Sequence, residues 1–255
     1  MTIKNILPLL LLIPLVTVRA QLPAVDEPGV CLECHVEMTQ LNTQKHVHAA
    51  YDNGICSACH NPHASKHASL LYHDESTLCF SCHEEIQELT RGTSVHHPVG
   101  SGECGFCHDP HDSNHAGQLI DKTVNLCFSC HQTESEGKTA QVVHQPFGDD
   151  DCLACHDSHG SAYENLVTKS IPSLCLDCHT FDQTLTSAHK GYELEGSQCT
   201  TCHDPHYSSE RGLVRANQHA PFAGGNCTVC HTSTSGNNAF EMDVEIVELC
   251  IKCHR

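Results

Sequence analysis

The chain has 255 residues, of which 20 are cysteine and 24 are histidine, and its formal net charge is −18. Hydrophobic residues make up 39% with cysteine included. Without cysteine the share is about 31%, which is thin for a conventional side-chain core. The negative charge argues against nucleic acid as a partner, because phosphate contacts need clustered lysine and arginine.

The first twenty residues have the pattern of a secretory signal peptide. Lys4 supplies a short positive segment, an apolar run follows over Ile6–Val16, and Val18-Arg19-Ala20 precedes the expected cleavage site. The apolar run of about 11 residues is shorter than the roughly 20 that a membrane-spanning helix needs. We predict a cleaved signal peptide over residues 1–20 and an exported, periplasmic mature chain without a transmembrane segment. The alternative is an uncleaved membrane anchor.

All cysteines occur in ten C-x-x-C pairs, and a histidine directly follows each pair. The cysteines are Cys31, Cys34, Cys56, Cys59, Cys79, Cys82, Cys104, Cys107, Cys127, Cys130, Cys152, Cys155, Cys175, Cys178, Cys199, Cys202, Cys227, Cys230, Cys250 and Cys253. The histidines are His35, His60, His83, His108, His131, His156, His179, His203, His231 and His254. In this order, two thiols add to the vinyl groups of one porphyrin and the imidazole binds its iron. The motif predicts ten covalent haem c groups, whereas a disulfide framework or zinc ribbons would not require the histidine.

The sites alternate between two types along the chain. Apolar-type sites have apolar residues on both sides of the first cysteine and begin at Cys31, Cys79, Cys127, Cys175 and Cys250. Polar-type sites begin at Cys56, Cys104, Cys152, Cys199 and Cys227. The alternation defines a two-site repeat of about 48 residues, and residues 21–255 are predicted to form one domain. The repeat breaks at Gly212–Gln218, which matches segments that elsewhere lead into an apolar-type site, but no CxxCH follows.

The repeat nominates nine further histidines as sixth ligands of iron. Five precede the polar-type sites in matching segments: His48, His96, His144, His189 and His219. Four belong to a signature that directly follows a polar-type site, such as CHDPH: His63, His111, His159 and His206. The preferred tenth ligand is His46, with His67, His73, His97, His115 or a ligand from outside the chain as alternatives. Two imidazoles per iron predict low potentials, because an axial methionine raises them.

This pattern resembles multihaem c-type cytochromes built from doubled CXXCH repeats, as in the cytochrome c3-like and periplasmic multihaem families. The resemblance covers essentially the whole mature chain. It implies covalent haem c, bis-histidine ligation and electron transfer, with no catalytic residues.

Ten haems in a chain of this length leave too few residues to wrap each porphyrin separately. We therefore predict a mostly irregular fold with short α-helices and little β-structure, in which haems stacked in a chain replace the apolar core. Helices are expected over His83–Arg91, His35–Asn42 and Glu241–Leu249. Six prolines interrupt any longer element.

The leading hypothesis is a periplasmic electron-transfer cytochrome, an electron carrier rather than an enzyme. It would relay electrons from a membrane-bound, quinol-oxidising donor towards an outer-membrane or extracellular acceptor cytochrome or porin. Two alternatives stay open: a polymeric cytochrome filament, and a multihaem reductase with one open haem. Multihaem nitrite reductases carry a CxxCK site, whereas all ten sites here end in histidine.

Overall fold

The computed structural model describes residues 26–191, 194, 196–232, 242 and 244–254. The predicted signal peptide and the start of the predicted helix Glu241–Leu249 lie outside the described residues. Within the described residues, no helix is long and apolar enough to cross a membrane.

Short helices carry the haem-attachment motifs, and irregular segments connect them. The α-helices are α1 Glu27–Leu32, α2 Ala49–Asp52, α3 Glu75–Phe80, α4 Glu84–Leu89, α5 His97–Gly100, α6 Thr123–Cys130, α7 Gln132–Gly137, α8 Gln145–Gly148, α9 Ser173–Leu176, α10 Gln183–Ala188, α11 Ala220–Ala223 and α12 Ile246–Ile251. The 3-10 helices are Val36–Thr43, Cys56–Ala58, Ala68–Leu70, Cys104–Phe106, Ala116–Gln118, Cys152–Ala154, Glu164–Leu166, Cys199–Thr201, Arg211–Leu213 and Cys227–Val229.

The two types of site use two types of helix. The first cysteine of every apolar-type site lies in an α-helix, whereas that of every polar-type site begins a three-residue 3-10 helix. Side-chain caps fix several of the α-helices at their start: the Asp74 carboxylate, for example, accepts a hydrogen bond from the Thr77 amide at 3.0 Å. These local signals place the cysteine pair and its histidine at the end of a defined turn.

Three antiparallel strand pairs join each repeat to the next. Strand β1 (His46–Val47) pairs with β3 (Asp112–Ser113), β2 (Ser94–Val95) with β5 (Gly160–Ser161), and β4 (Val142–Val143) with β6 (Tyr207–Ser208). The ladder continues into the nominated ligands, because the amides of His48, His96 and His144 donate to the carbonyls of His111, His159 and His206 at 2.8–3.0 Å. A histidine before one polar-type site is thereby fixed beside a histidine after the next.

The described chain has almost no apolar core. Phe147, with 9% of its surface exposed, is the one large hydrophobic side chain that is buried in this part of the protein. Many others, including Phe106 and Leu153 between paired cysteines, are exposed. This confirms the predicted fold class of short helices and irregular segments without a conventional core.

The helix predictions agree with the structure to different degrees. The predicted helix His83–Arg91 corresponds to α4, which covers Glu84–Leu89. The segment predicted as His35–Asn42 forms a 3-10 helix over Val36–Thr43 rather than an α-helix. The last helix, α12, begins at Ile246 and includes Cys250 instead of ending before it.

Candidate haem-binding sites

The proximal histidine of each of the first four polar-type sites is oriented by a backbone carbonyl nine residues later. The Nδ1 atoms of His60, His108, His156 and His203 lie 2.6–2.9 Å from the carbonyl oxygens of Ser69, Gly117, Asn165 and Gly212. A carbonyl only accepts, so Nδ1 donates its proton and the lone pair of Nε2 is left for a metal. Such a bond fixes both the tautomer and the orientation of an iron-binding imidazole.

An unusual turn presents that carbonyl. In all four copies two successive residues have positive φ, for example Gly212 at 68° and Leu213 at 59°. Glycine, serine or asparagine occupies the first position, and glycine and asparagine are the residues that best tolerate this conformation. A serine hydroxyl closes the turn, as in the Ser208 bond to the Val214 carbonyl at 2.5 Å.

This turn was missed by the sequence reasoning. Gly212–Gln218 was interpreted only as the leader of an absent apolar-type site, yet the turn at Gly212 serves the preceding histidine, His203. The signal that would have revealed it is a serine, glycine or asparagine nine residues after each of the first four polar-type histidines.

The residue after each of these proximal histidines explains the signature motif. The side-chain Oδ1 atoms of Asn61, Asp109, Asp157 and Asp204 accept hydrogen bonds from the amides of His63, His111, His159 and His206 at 2.9–3.0 Å. This is an Asx turn, which asparagine and aspartate form readily. It fixes the backbone of the nominated ligand two residues after the Asx residue.

Eight nominated histidines lie opposite a proximal histidine. Histidines that precede polar-type sites face apolar-type sites, with ring centroids 5.9–6.2 Å apart: His48 with His83, His96 with His131, His144 with His179, and His219 with His254. Signature histidines face the polar-type site of the preceding repeat at 5.9–6.2 Å: His111 with His60, His159 with His108, and His206 with His156. The eighth pair is His189 with His203.

The separation of the paired rings fits two imidazoles on one iron. A metal–nitrogen bond of about 2.0 Å and about 1.1 Å from that nitrogen to its ring centroid place two such centroids about 6.2 Å apart. Each pair also lies beside a C-x-x-C pair that supplies two thiols. The residues present therefore fit a covalently attached haem with two axial histidines.

Burial favours the neutral imidazole at several of these ligands. It lowers the pKa of His48, and it is the largest cause of the lowered pKa of His111, His159 and His206. A neutral imidazole is the form that binds a metal ion.

The break in the repeat changes the ligand pairing in one place. Four upstream histidines face a proximal histidine 35 residues later, but the residue 35 after His189 is Gly224, and no CxxCH lies there. The polar-type site of His231 also lacks the signature histidine that would face His203, since Thr234 stands at that position. His189 instead faces His203 at 5.9 Å, with ring planes at 60°. The two departures from the repeat thus compensate for each other.

Three predicted ligands are not brought opposite another histidine. In the described part of the chain, the rings of His35, His46 and His63 make no contact with a second histidine ring. His35 Nδ1 lies 3.4 Å from the Glu37 carboxylate, and His231 follows the turn Cys227–Val229. Ligation by His46 and His63, like ligation by the eight paired histidines, stays a prediction.

Neighbouring sites approach each other through their cysteines in chain order. First-cysteine thiols interact in the pairs Cys31 with Cys56, Cys79 with Cys104, Cys127 with Cys152, and Cys175 with Cys199. Second cysteines lie near each other in Cys59 with Cys82, Cys107 with Cys130, and Cys155 with Cys178. Burial and the neighbouring thiol raise the pKa of Cys127 and of Cys175 to about 11. Contacts between first cysteines and contacts between second cysteines thus alternate along the chain, and together they link eight consecutive sites into one row.

The cysteines form neither disulfide bonds nor a cluster for a bare metal ion in the described part of the chain. All twenty cysteines are free of disulfide bonds. Among the described residues, no three histidine, cysteine or acidic side chains converge to hold a bare metal ion, whereas a structural zinc site needs four ligands.

A family model for the doubled CXXCH motif matches residues 48–88, 96–136, 144–184, 193–218 and 219–255. Four of these segments begin at an upstream histidine, namely His48, His96, His144 and His219. No curated protein matches the chain significantly. The paired motifs indicate covalently bound haem c. The chain belongs to the doubled CXXCH motif family and is a multihaem electron-transfer cytochrome of the c type.

Proposed function

We propose that this protein is a decahaem cytochrome of the periplasm that conducts electrons along a row of low-potential, bis-histidine haems. The observation that carries the proposal is the set of eight histidine pairs, each beside its own cysteine pair. Because His111, His159 and His206 each face a proximal histidine of the preceding repeat, the repeats interlock and would hold neighbouring haems in a fixed order.

The protein's part in this function is to position and insulate the haems. The cysteines would attach the porphyrins and the paired histidines would ligate their irons, while carbonyls such as Gly117 O orient the proximal rings. Haem iron supplies one-electron chemistry when bound. With both axial positions filled by imidazole, an iron passes electrons but does not bind a substrate.

The length of the row favours a conduit over a small shuttle. A row of ten haems suits transfer over distance, from a membrane-bound quinol-oxidising donor to an outer-membrane or extracellular acceptor cytochrome or porin. The signal-peptide pattern of residues 1–20 supports export to the periplasm. Cell fractionation tests the location, and a mature N-terminus at Gln21 is the expected result.

A second candidate function, reduction of a small substrate at one open haem, is favoured by a single observation. The ring of His35 faces no other histidine among the described residues, unlike eight other proximal rings. An iron with one protein ligand keeps a position for substrate.

Low-temperature electron paramagnetic resonance of the oxidised holoprotein distinguishes the two functions, with the haem number fixed by intact mass. The electron-carrier proposal expects ten haems, all low-spin, and no change on addition of cyanide. A high-spin signal of one iron that cyanide abolishes would favour the reductase. Fewer than ten haems in the intact mass would contradict the decahaem assignment.

A further inference from the structure

The residue twelve positions after the proximal histidine lies directly on the haem-attachment turn in each of the first four polar-type sites. Its backbone amide donates a hydrogen bond to the carbonyl of the second cysteine of the same site at 2.9–3.1 Å. The pairs are Tyr72 with Cys59, Ile120 with Cys107, Thr168 with Cys155, and Arg215 with Cys202. The backbone is therefore held in the same place in all four copies, and the sites differ here in the side chain.

Arg215 brings a positive charge to this position, where the other three sites have a neutral side chain. Its Nε and Nη2 atoms both donate to the carbonyl of Thr200, at 3.1 and 3.0 Å. Thr200 lies between the two cysteines of the pair Cys199–Cys202. The guanidinium is thus fixed on the turn that carries this cysteine pair, and it stays protonated at physiological pH.

Arg215 also neutralises a carboxylate that has no such partner in the two preceding repeats. Its Nη1 atom lies 3.5 Å from Asp204 Oδ2. The matching carboxylates of Asp109 and Asp157 lie 3.7 and 3.9 Å from Nδ1 of a nominated histidine ligand, and no arginine or lysine of the described chain pairs with them. At these two positions taken together, the site Cys199–Cys202 has no net charge, whereas each of the two preceding polar-type sites has one negative charge.

We propose that Arg215 raises the reduction potential of the haem c at Cys199–Cys202 above those of the haems at Cys104–Cys107 and Cys152–Cys155. The inference rests on the proposed electron-transfer function and assigns one step of the row to one side chain. Ferric iron carries one more positive charge than ferrous iron, so a fixed cation nearby favours the ferrous state. In a partly reduced row, this site therefore holds an electron more often than the two preceding polar-type sites.

The step itself is the transfer of one electron. A neighbouring ferrous haem is oxidised to the ferric state while the ferric haem at Cys199–Cys202 is reduced, and no bond forms or breaks. The side chain of Arg215 is 49% exposed, so water and dissolved ions screen part of its charge. We expect the ferrous-to-ferric ratio to change about threefold to tenfold, which is about 30–60 mV at about 59 mV per tenfold change for one electron.

A redox titration of the holoprotein, followed by absorbance and by electron paramagnetic resonance, tests the assignment. Arg215→Thr introduces the residue of the preceding repeat and should lower one potential by this amount, whereas Arg215→Lys keeps the charge and should retain most of the potential. The low-spin signal that is lost when His189 is replaced identifies the affected haem. The reciprocal variant Thr168→Arg should raise one potential instead, that of the haem at Cys152–Cys155. Unchanged haem content and low-spin spectra establish that the variants are folded.

Ionic strength separates an effect of charge from an effect of packing. The Debye length falls from about 30 Å at 0.01 M salt to about 3 Å at 1 M. The difference in potential between Arg215→Thr and the unaltered protein should therefore be smaller at the higher salt concentration. A shift caused by altered packing of the turn would not depend on salt in this way.

Two results would overturn the assignment. If neither Arg215→Thr nor Thr168→Arg shifts a potential, the charge at this position does not act on the haem. If Arg215→Lys lowers the potential as much as Arg215→Thr does, and salt leaves the shift unchanged, the side chain acts through packing. Failure of the proposed function gives a different result, because the unaltered holoprotein would then take up fewer than ten electrons or contain a high-spin iron, whichever residue occupies position 215.

Discussion

His189 offers the sharpest test of the ligand pairing, because repeat spacing and structure disagree about its role. The spacing of the other upstream histidines directs it to residue 224, where no site exists, whereas the structure places it 5.9 Å from His203. The variant His189→Ala should therefore remove one axial ligand from the haem at Cys199–Cys202 and leave the other haems unchanged. Thr186→Ala is the control, since Thr186 is an exposed residue of the same segment, on α10, and carries no group that ligates haem iron.

We expect the spin state of one iron to change in this variant. On the proposed loading of ten haems, His189→Ala converts about one-tenth of the ferric iron from low-spin to high-spin, because a single imidazole with water or an empty position gives a weaker ligand field. Quantitative electron paramagnetic resonance measures the high-spin fraction, and added imidazole should restore the low-spin state by replacing the lost ring. The ring planes of this pair are at 60°, against 9° for His60 and His111, so the lost low-spin signal should differ from that of the near-parallel pairs.

The pairing would be refuted in either of two ways. If His189→Ala stays entirely low-spin with a full complement of haem, another residue ligates the iron above His203. If Thr186→Ala produces an equal high-spin signal, any change in this segment disturbs the haem at Cys199–Cys202 and the signal does not report loss of the His189 ligand.

Three further predictions concern the turns and caps that support the row. Asp157→Ala removes the Asx turn to the His159 amide and should lower the free energy of unfolding by about 1–2 kcal/mol in chemical denaturation. Asp157→Asn should keep both the turn and the stability, because Asn61 forms the same turn. Lys138→Ala should lower the free energy of unfolding by about 1–2 kcal/mol, because Lys138 donates to the Phe147 and Gly148 carbonyls at 2.6 and 2.9 Å and lies over the Phe147 ring. The comparison variant Lys169→Ala removes only the exposed ion pair with Asp177 and should lower it by about 0–1 kcal/mol. Hydrogen bonds from the Thr77 amide and hydroxyl and from Ser76 lower the pKa of Asp74 from 3.8 to about 2. This helix cap therefore stabilises the folded state fully above pH 4 and loses its contribution as the pH falls towards 2. Asp74→Asn should flatten the free energy of unfolding over this pH range, and an unchanged pH dependence would contradict the role of Asp74 as the cap.

The fold class could be predicted because it depends on what the sequence lacks. Without cysteine the apolar share is too small for a core, and prolines such as Pro98 and Pro146 restrict the length of helices. The short β pairs were less predictable. Val142 and Val143 form a strand only because Tyr207 and Ser208 lie opposite them, and a two-residue strand has no periodicity of its own.

The candidate ligands could be nominated from the sequence, but their partners could not. The repeat register nominated nine histidines. The structure places eight of them opposite a proximal histidine, whereas the ninth, His63, faces no histidine ring among the described residues. To be specific, His111 faces His60 of the preceding repeat because β1 pairs with β3, a contact between residues that are far apart in the chain. Spacing within a repeat does not contain that information.

The change of partner at His189 suggests how a repeat of this kind tolerates the loss of a site. In an uninterrupted row, each upstream histidine serves the next apolar-type site, and each signature histidine serves the preceding polar-type site. The absence of an apolar-type site leaves His189 without the histidine that its spacing predicts, and the absence of the next signature histidine leaves His203 without a facing histidine from that position. Either absence alone would expose an iron or leave an imidazole unused, whereas the two together allow His189 to face His203 within one segment. His203 thus has a facing histidine like the earlier polar-type sites, although the repeat is broken at this point.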